Sequence, residues 1–138
     1  MGVLIDPSVL FEHERGRLDA GPHLDAHAGA PFFLSVVSAA ELLRGVQLAR
    51  TSRARSLRAA FAEAVVQRFP LLPVDLGSAR THARLSVELG ELRRSVGAAD
   101  LWLAAQAVAN GLVLAVGEPR ELGRVPGLRL ESWLAGGG

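Results

Sequence analysis

At 138 residues, with 49% hydrophobic and 21% charged side chains, the chain suits one ordinary mixed core and is too apolar for a disordered polymer. A net charge of +1 excludes a polycation that coats nucleic acid indiscriminately, and the absence of cysteine excludes disulfides and thiolate metal sites. All 15 basic residues are arginine, which removes Walker-loop, receiver-domain and Schiff-base chemistry, because each of these needs a lysine.

The chain opens on an apolar run, residues 2–5, predicted as a strand, and Asp6 closes it. A helix is expected near residues 8–15, a second from Pro22 to Ala28, and a short strand over 32–37. The next helix starts at Ser38, where Ser38 and Glu41 have capping-box spacing. Residues 51–68 follow as a helix closed by Pro70, with Ala54, Leu57 and Phe61 recurring at steps of three and four. Leu71 to Val74 is a strand that Pro73 assigns to a sheet edge, since proline donates no backbone hydrogen bond. Asp75 to Gly90 is a helix with Ser78 as its cap, and Ala98 to Asn110 is a helix that Gly111 ends. Strands at 112–116 and 128–133 complete the pattern. Short apolar runs alternating with helices imply an α/β fold: a three-layer α/β/α sandwich around a mainly parallel sheet. Residues 1–134 are expected to form one domain, with 135–138 as a loose tail. No apolar stretch reaches the roughly 18 residues that a membrane span needs, and the acid at position 6 does not suit a secretory leader, so a cytoplasmic protein is expected.

Three acids stand at the edges of apolar elements: Asp6 after the first strand, Glu41 in a helix after the second, and Asp100 within Gly97-Ala98-Ala99-Asp100-Leu101-Trp102. An acid there gives up hydration and is tolerated mainly where another charge compensates. Each also has a local reading: Asp6 as a turn residue, Glu41 as a capping partner, Asp100 as a first-turn acid favoured by the helix dipole. Together they suggest a carboxylate metal site, with oxygen donors suited to Mg²⁺ or Mn²⁺ rather than Zn²⁺. Six arginines between positions 44 and 68 face a single Glu63, forming either a solvated helix face or a row of phosphate contacts. Arg93 and Arg94, on a short loop before Asp100, are candidates for the rim of the acid pocket, as is Arg44 for backbone contact. His23 and His27 have helical spacing but lack a third ligand, and Ser8, Asp75 and His82 lack a nucleophile elbow.

The runs Val3-Leu4-Ile5-Asp6-Pro7-Ser8, Ser38-Ala39-Ala40-Glu41-Leu42-Leu43-Arg44-Gly45, Val96-Gly97-Ala98-Ala99-Asp100-Leu101-Trp102 and Arg120-Glu121-Leu122 resemble, in order and spacing, a PIN-domain ribonuclease of the VapC toxin type. The resemblance spans nearly the whole chain. It implies a PIN-like sandwich, a Mg²⁺ or Mn²⁺ site, and hydrolysis of structured RNA such as tRNA or rRNA to a 5′-phosphate and a 3′-hydroxyl. It also implies a homodimer neutralised by a VapB-type antitoxin. By that likeness Asp6, Glu41 and Asp100 hold the metal, and Ser8 lends its hydroxyl. The fourth corner departs from the family: Val116 stands where a Thr or Ser is usual, and Glu118 and Glu121 stand at the polar positions. Either Glu118 or Glu121 completes the site, Glu118 being nearer the strand end. The alternative is a PIN-like module that binds antitoxin or RNA without cleaving it.

Overall fold

The computed structural model describes residues 1–134, so the expected tail at 135–138 lies outside the described residues. Five strands form one sheet: β1 (Val3–Ile5), β2 (Phe32–Ser35), β3 (Leu71–Leu72), β4 (Val113–Val116) and β5 (Arg129–Ser132), in the spatial order β3-β2-β1-β4-β5. Every neighbouring pair is parallel. β1 occupies the centre, with Val3 opposite Phe32 of β2 on one side and Val113 of β4 on the other. The chain builds outward from β1 first toward β3 and then, on the opposite side, toward β5. That reversal opens a crevice beyond the carboxyl ends of β1 and β4, the usual place for a ligand in an open parallel sheet.

Both faces of the sheet are covered, and the strand alternation decides which residue serves which face. Val3, Ile5, Leu34 and Ala115 pack with Val9 of α1 (Pro7–Glu14), Leu42 of α3 (Val36–Leu48) and Val65 of α4 (Ser52–Arg68). Leu4, Leu114 and Val116 pack on the other side with Leu85 and Leu89 of α5 (Leu76–Glu91) and Leu103 of α6 (Ala98–Asn110). Successive residues of a strand point to opposite faces, so one three-residue strand supplies both cores. Each aliphatic side chain fully buried this way contributes roughly 1.5–3 kcal/mol. The result is the three-layer sandwich expected of alternating apolar runs and helices. α2 (Gly21–Ala26) lies between α1 and β2 in the chain. Among the described residues no helix is long and apolar enough to cross a membrane.

Three local expectations are corrected. β2 stops at Ser35, not at residue 37, and the Ser35 hydroxyl accepts from the Val37 backbone at 3.0 Å, so Ser35 caps α3 and not Ser38. Val36 and Val37 therefore enter the helix despite their β-branched side chains, because the ladder with β3 ends at Ser35 opposite Leu72. Asp75, not Ser78, caps α5: its carboxylate accepts from the Ser78 backbone at 2.8 Å, a hydrogen bond that also holds its pKa below the ordinary value. β3 is shortened to two residues because the Leu72 and Pro73 carbonyls, instead of extending a ladder, each accept from the Gln106 amide at 3.1 Å. β3 is an edge strand, as Pro73 requires. The residues between β4 and β5 contain a 3-10 helix, Arg120–Arg124, that no periodicity in the sequence indicates.

Candidate active site

Asp6 is the first residue beyond β1 and caps α1, with Pro7 in the first helical position, where its missing N–H costs nothing. Its Oδ2 accepts from the Ser8 backbone at 3.1 Å and from the Ser8 hydroxyl. That hydroxyl accepts in turn from the Gly117 backbone at 3.0 Å, so one serine joins the end of β1 to the end of β4. A Cβ on Gly117 would lie 3.4 Å from the Ser8 Oγ, which favours glycine at this close approach. Ser8 therefore orients Asp6 across the crevice.

α3 brings Glu41 to the same place and α6 brings Asp100, in its first turn. Asp6, Ser38, Glu41, Asp100 and Arg120 all line one cleft of about 560 Å³. The Glu41 carboxyl is held above its usual range, first by lost hydration and then by repulsion from Asp6 and Asp100; the guanidinium groups of Arg120 and Arg44 only partly offset this. The acids thus feel one another across the cleft. Ser38, 2% exposed, presents a hydroxyl that has no hydrogen-bond partner. A buried hydroxyl left without a partner carries a desolvation penalty of about 1–3 kcal/mol, and a water or hydrated ion in the cleft would relieve it.

Arg120 is the residue that sequence reasoning missed. Its Nε and Nη2 donate to the two oxygens of Asp100 at 3.0 and 2.9 Å, a fork matched to a carboxylate, and its Nη1 lies 3.7 Å from Asp6 Oδ2. Its backbone adopts φ of 50°, a left-handed conformation that strains a residue with a side chain by roughly 1–3 kcal/mol. Burial would lower its pKa, but hydrogen bonds to Asp100 and the fields of Asp6, Asp100 and Glu41 raise it. The three acids consequently share a cleft without closing on one point. Among the described residues, no three Asp, Glu, His or Cys side chains are placed to hold one ion together, because both Asp100 oxygens are committed to Arg120.

The remaining expected residues divide. Glu118 does not line the cleft; it lines a neighbouring recess of about 310 Å³ with Ser8, Glu12, Arg17 and Gly117, and Arg120 borders both cavities. Glu121 is exposed in the first turn of the 3-10 helix and lines neither cavity. The fourth corner of the acid cleft is thus filled by Arg120 and by neither glutamate. Arg93 and Arg94 are also outside the cleft lining: Arg94 donates to the Arg124 carbonyl at 3.0 Å while Arg124 donates to Ser95 at 3.2 Å, a cross-tie of two loops. Arg44 is exposed one turn beyond Glu41 and acts on it through its charge. The arginines that line the cleft besides Arg120 are Arg15 and Arg58, beside the stacked rings of Phe11 and Phe61, whose centroids are 4.2 Å apart. His23 and His27 do not pair on a metal. His23 stacks on Trp133 at 4.9 Å, and His27 shares a 2.8 Å contact with Glu131. His82 stacks on Trp102 at 3.8 Å, far from the hydroxyl of Ser8, which Asp6 and Gly117 engage, so no triad forms.

A fully parallel α/β/α sandwich with an acidic cleft at its topological switch point defines an α/β nuclease-like architecture, and the sequence comparison makes the assignment specific. The chain belongs to the PIN domain family, whose model matches residues 3–127. It is 30% identical over 130 residues to Ribonuclease VapC1 of Rickettsia felis, spanning 94% of this chain and 95% of that protein. It is 33% identical over 100 residues to the tRNA(fMet)-specific endonuclease VapC of Shigella flexneri, spanning 72% of this chain and 74% of that protein. Among solved structures, a member of the VapBC family of toxin-antitoxin systems, VapBC-5 from Mycobacterium tuberculosis, superposes with a TM-score of 0.73 at 33% identity, covering 95% of each chain.

Proposed function

We propose that the protein is a metal-dependent endoribonuclease that hydrolyses phosphodiester bonds in structured RNA, tRNA or rRNA, and is held in check by a VapB-type antitoxin. The observation that carries this reading is the meeting of Asp6, Glu41 and Asp100 in one cleft at the carboxyl ends of the central strands. Relatives with ribonuclease and tRNA endonuclease names, and a structural relative from a toxin-antitoxin system, support it. The chain acts in the cytoplasm as a single nuclease domain over residues 1–134 that pairs as a homodimer.

The donor set fits Mg²⁺ or Mn²⁺: the acids are hard oxygen ligands, these ions keep several waters while accepting one or two carboxylates, and the Ser38 hydroxyl is free to bind such a water. Asp6 and Glu41 are the carboxylates available to hold the ion. When bound, it supplies a more acidic water and a Lewis acid for the phosphodiester. The chain's own residues do the rest. Ser8 holds Asp6 in one orientation, and Arg15, Arg58 and Arg120 offer guanidinium groups to RNA phosphates at the cleft. Cleavage by attack of that water leaves a 5′-phosphate and a 3′-hydroxyl.

The test is cleavage of tRNA and rRNA by purified protein in Mg²⁺ or Mn²⁺, with EDTA, Asp6→Asn and Asp100→Asn as controls. Loss of cutting in all three controls supports the nuclease. A second reading, a PIN-like module that binds antitoxin or RNA without cutting, is favoured by one observation: the Arg120 fork on Asp100. RNA binding with no cleavage in any divalent ion establishes that second reading instead.

A further inference from the structure

We propose that Arg120 serves as a built-in second cation of the acid cleft, so that the site takes one divalent ion, on Asp6 and Glu41, and not a pair. This rests on the nuclease reading and adds the metal stoichiometry and the residue that sets it.

The argument is one of charge and of lone pairs. Asp6, Glu41 and Asp100 place three carboxylates in the cleft, and Arg120 is the arginine in direct contact with them among the described residues. Arg58 gives its Nη1 to the Gly45 carbonyl at 2.8 Å, and Arg15 sits over the Phe11 ring at 5.8 Å, so both are engaged elsewhere. Three carboxylates and one guanidinium leave two negative charges, which a single divalent ion neutralises; a second ion would leave an excess of positive charge in a partly enclosed site.

Geometry agrees with charge. A second ion needs a carboxylate with a free oxygen, and both Asp100 oxygens receive hydrogen bonds from the Arg120 fork. Glu118 and Glu121, the acids that might replace Asp100, do not line the cleft. The backbone of Arg120 is held left-handed at φ 50°, and a strained conformation persists where the surrounding contacts over-determine it. Nη1 of Arg120, 3.7 Å from Asp6, sets the guanidinium between the two aspartates, where a second ion would stand. Arg120 is thus a positioning residue, acting through Asp100.

The experiment counts Mn²⁺ on the whole chain by titration calorimetry and by electron paramagnetic resonance, beside the RNA cleavage assay. Wild type is expected to bind one Mn²⁺ with the six-line spectrum of an isolated ion. Arg120→Asn removes the charge with a residue that tolerates left-handed backbone, and Arg120→Lys keeps the charge without the fork. With both Asp100 oxygens released, Arg120→Asn is expected either to bind a second ion, with the broadened spectrum of a coupled pair, or to bind the first at least tenfold more tightly. The double variant Arg120→Asn with Asp100→Asn is expected to return to one weakly held ion. Arg120→Lys, folded as judged by circular dichroism, is expected to keep one ion. Two ions on wild type with RNA cleavage intact overturn the inference and leave the nuclease standing. Unchanged stoichiometry and affinity in Arg120→Asn, or a gain that survives in the double variant, overturns it as well. Failure of wild type to bind any Mn²⁺ overturns the nuclease reading and the inference together.

Discussion

The Ser8 hydroxyl accepts the Gly117 backbone N–H at 3.0 Å while donating to Asp6, so the ends of the two central strands are coupled through one oxygen. Removing that oxygen leaves Asp6 free to rotate and the Gly117 N–H without its partner. Ser8→Ala is therefore expected to weaken Mn²⁺ binding and RNA cleavage by about 10–100-fold, the range for residues that orient metal ligands. Parallel titrations of metal and substrate check this; an unaltered metal affinity contradicts it.

Gln106, 0% exposed, donates to the carbonyls of both Leu72 and Pro73 at 3.1 Å and accepts the Ser35 hydroxyl. One amide thereby fastens the two-residue edge strand to α6 and to the cap of α3. Gln106→Leu keeps the volume but strands three buried polar groups, so a loss of roughly 1–3 kcal/mol is expected. Urea denaturation is the measurement: the midpoint falls while the slope stays as in wild type.

Glu41 has a folded-state pKa above its ordinary value, from burial first and then from Asp6 and Asp100. Such a group favours the folded state when protonated, and that contribution is lost as pH rises through the folded pKa. At neutral pH without metal, ionised Glu41 therefore destabilises the fold. Glu41→Gln is expected to raise the Tm in EDTA by about 1–2 °C, on the order of 0.5 kcal/mol after allowance for its exposure. The gain disappears in acid, where wild-type Glu41 is itself neutral, and the same variant cuts no RNA. Thermal melts at two pH values, paired with the cleavage assay, decide it.

Glu131 shifts the other way. Burial alone would raise its pKa, but hydrogen bonds with His27 at 2.8 Å and Trp133 at 3.1 Å outweigh it and the net direction is down. A depressed carboxylate stabilises the fold above its unfolded pKa, and the benefit is lost as pH falls through the folded value. Glu131→Gln is expected to lower the Tm at pH 7 by a few degrees at most, since the pair is partly exposed. The difference from wild type should close as the pH drops below the ordinary glutamate value of 4.5. A gap that persists unchanged into acid would refute the linkage.

Much of the fold was determined locally. Val3 to Ile5 ending in Asp6, and Val113 to Val116 between two glycine-bearing turns, are apolar stretches whose only stable home is a covered parallel sheet, so layers and element order follow from them. The candidate acids were legible for the same reason, because a carboxylate abutting a buried strand or opening a helix is conspicuous against its neighbours. Tertiary structure decided what local pattern cannot. Whether Ser35 or Ser38 caps α3 depends on where the ladder with β3 stops, since either hydroxyl is chemically able. Arg120 lies 20 residues beyond Asp100 in a short helix without apolar periodicity, and only the folding of that segment over the end of β4 brings a guanidinium onto the carboxylate. Burial leaves a periodic mark along a chain, whereas an ion pair between distant segments leaves none, and the charge balance of the cleft was therefore settled in three dimensions.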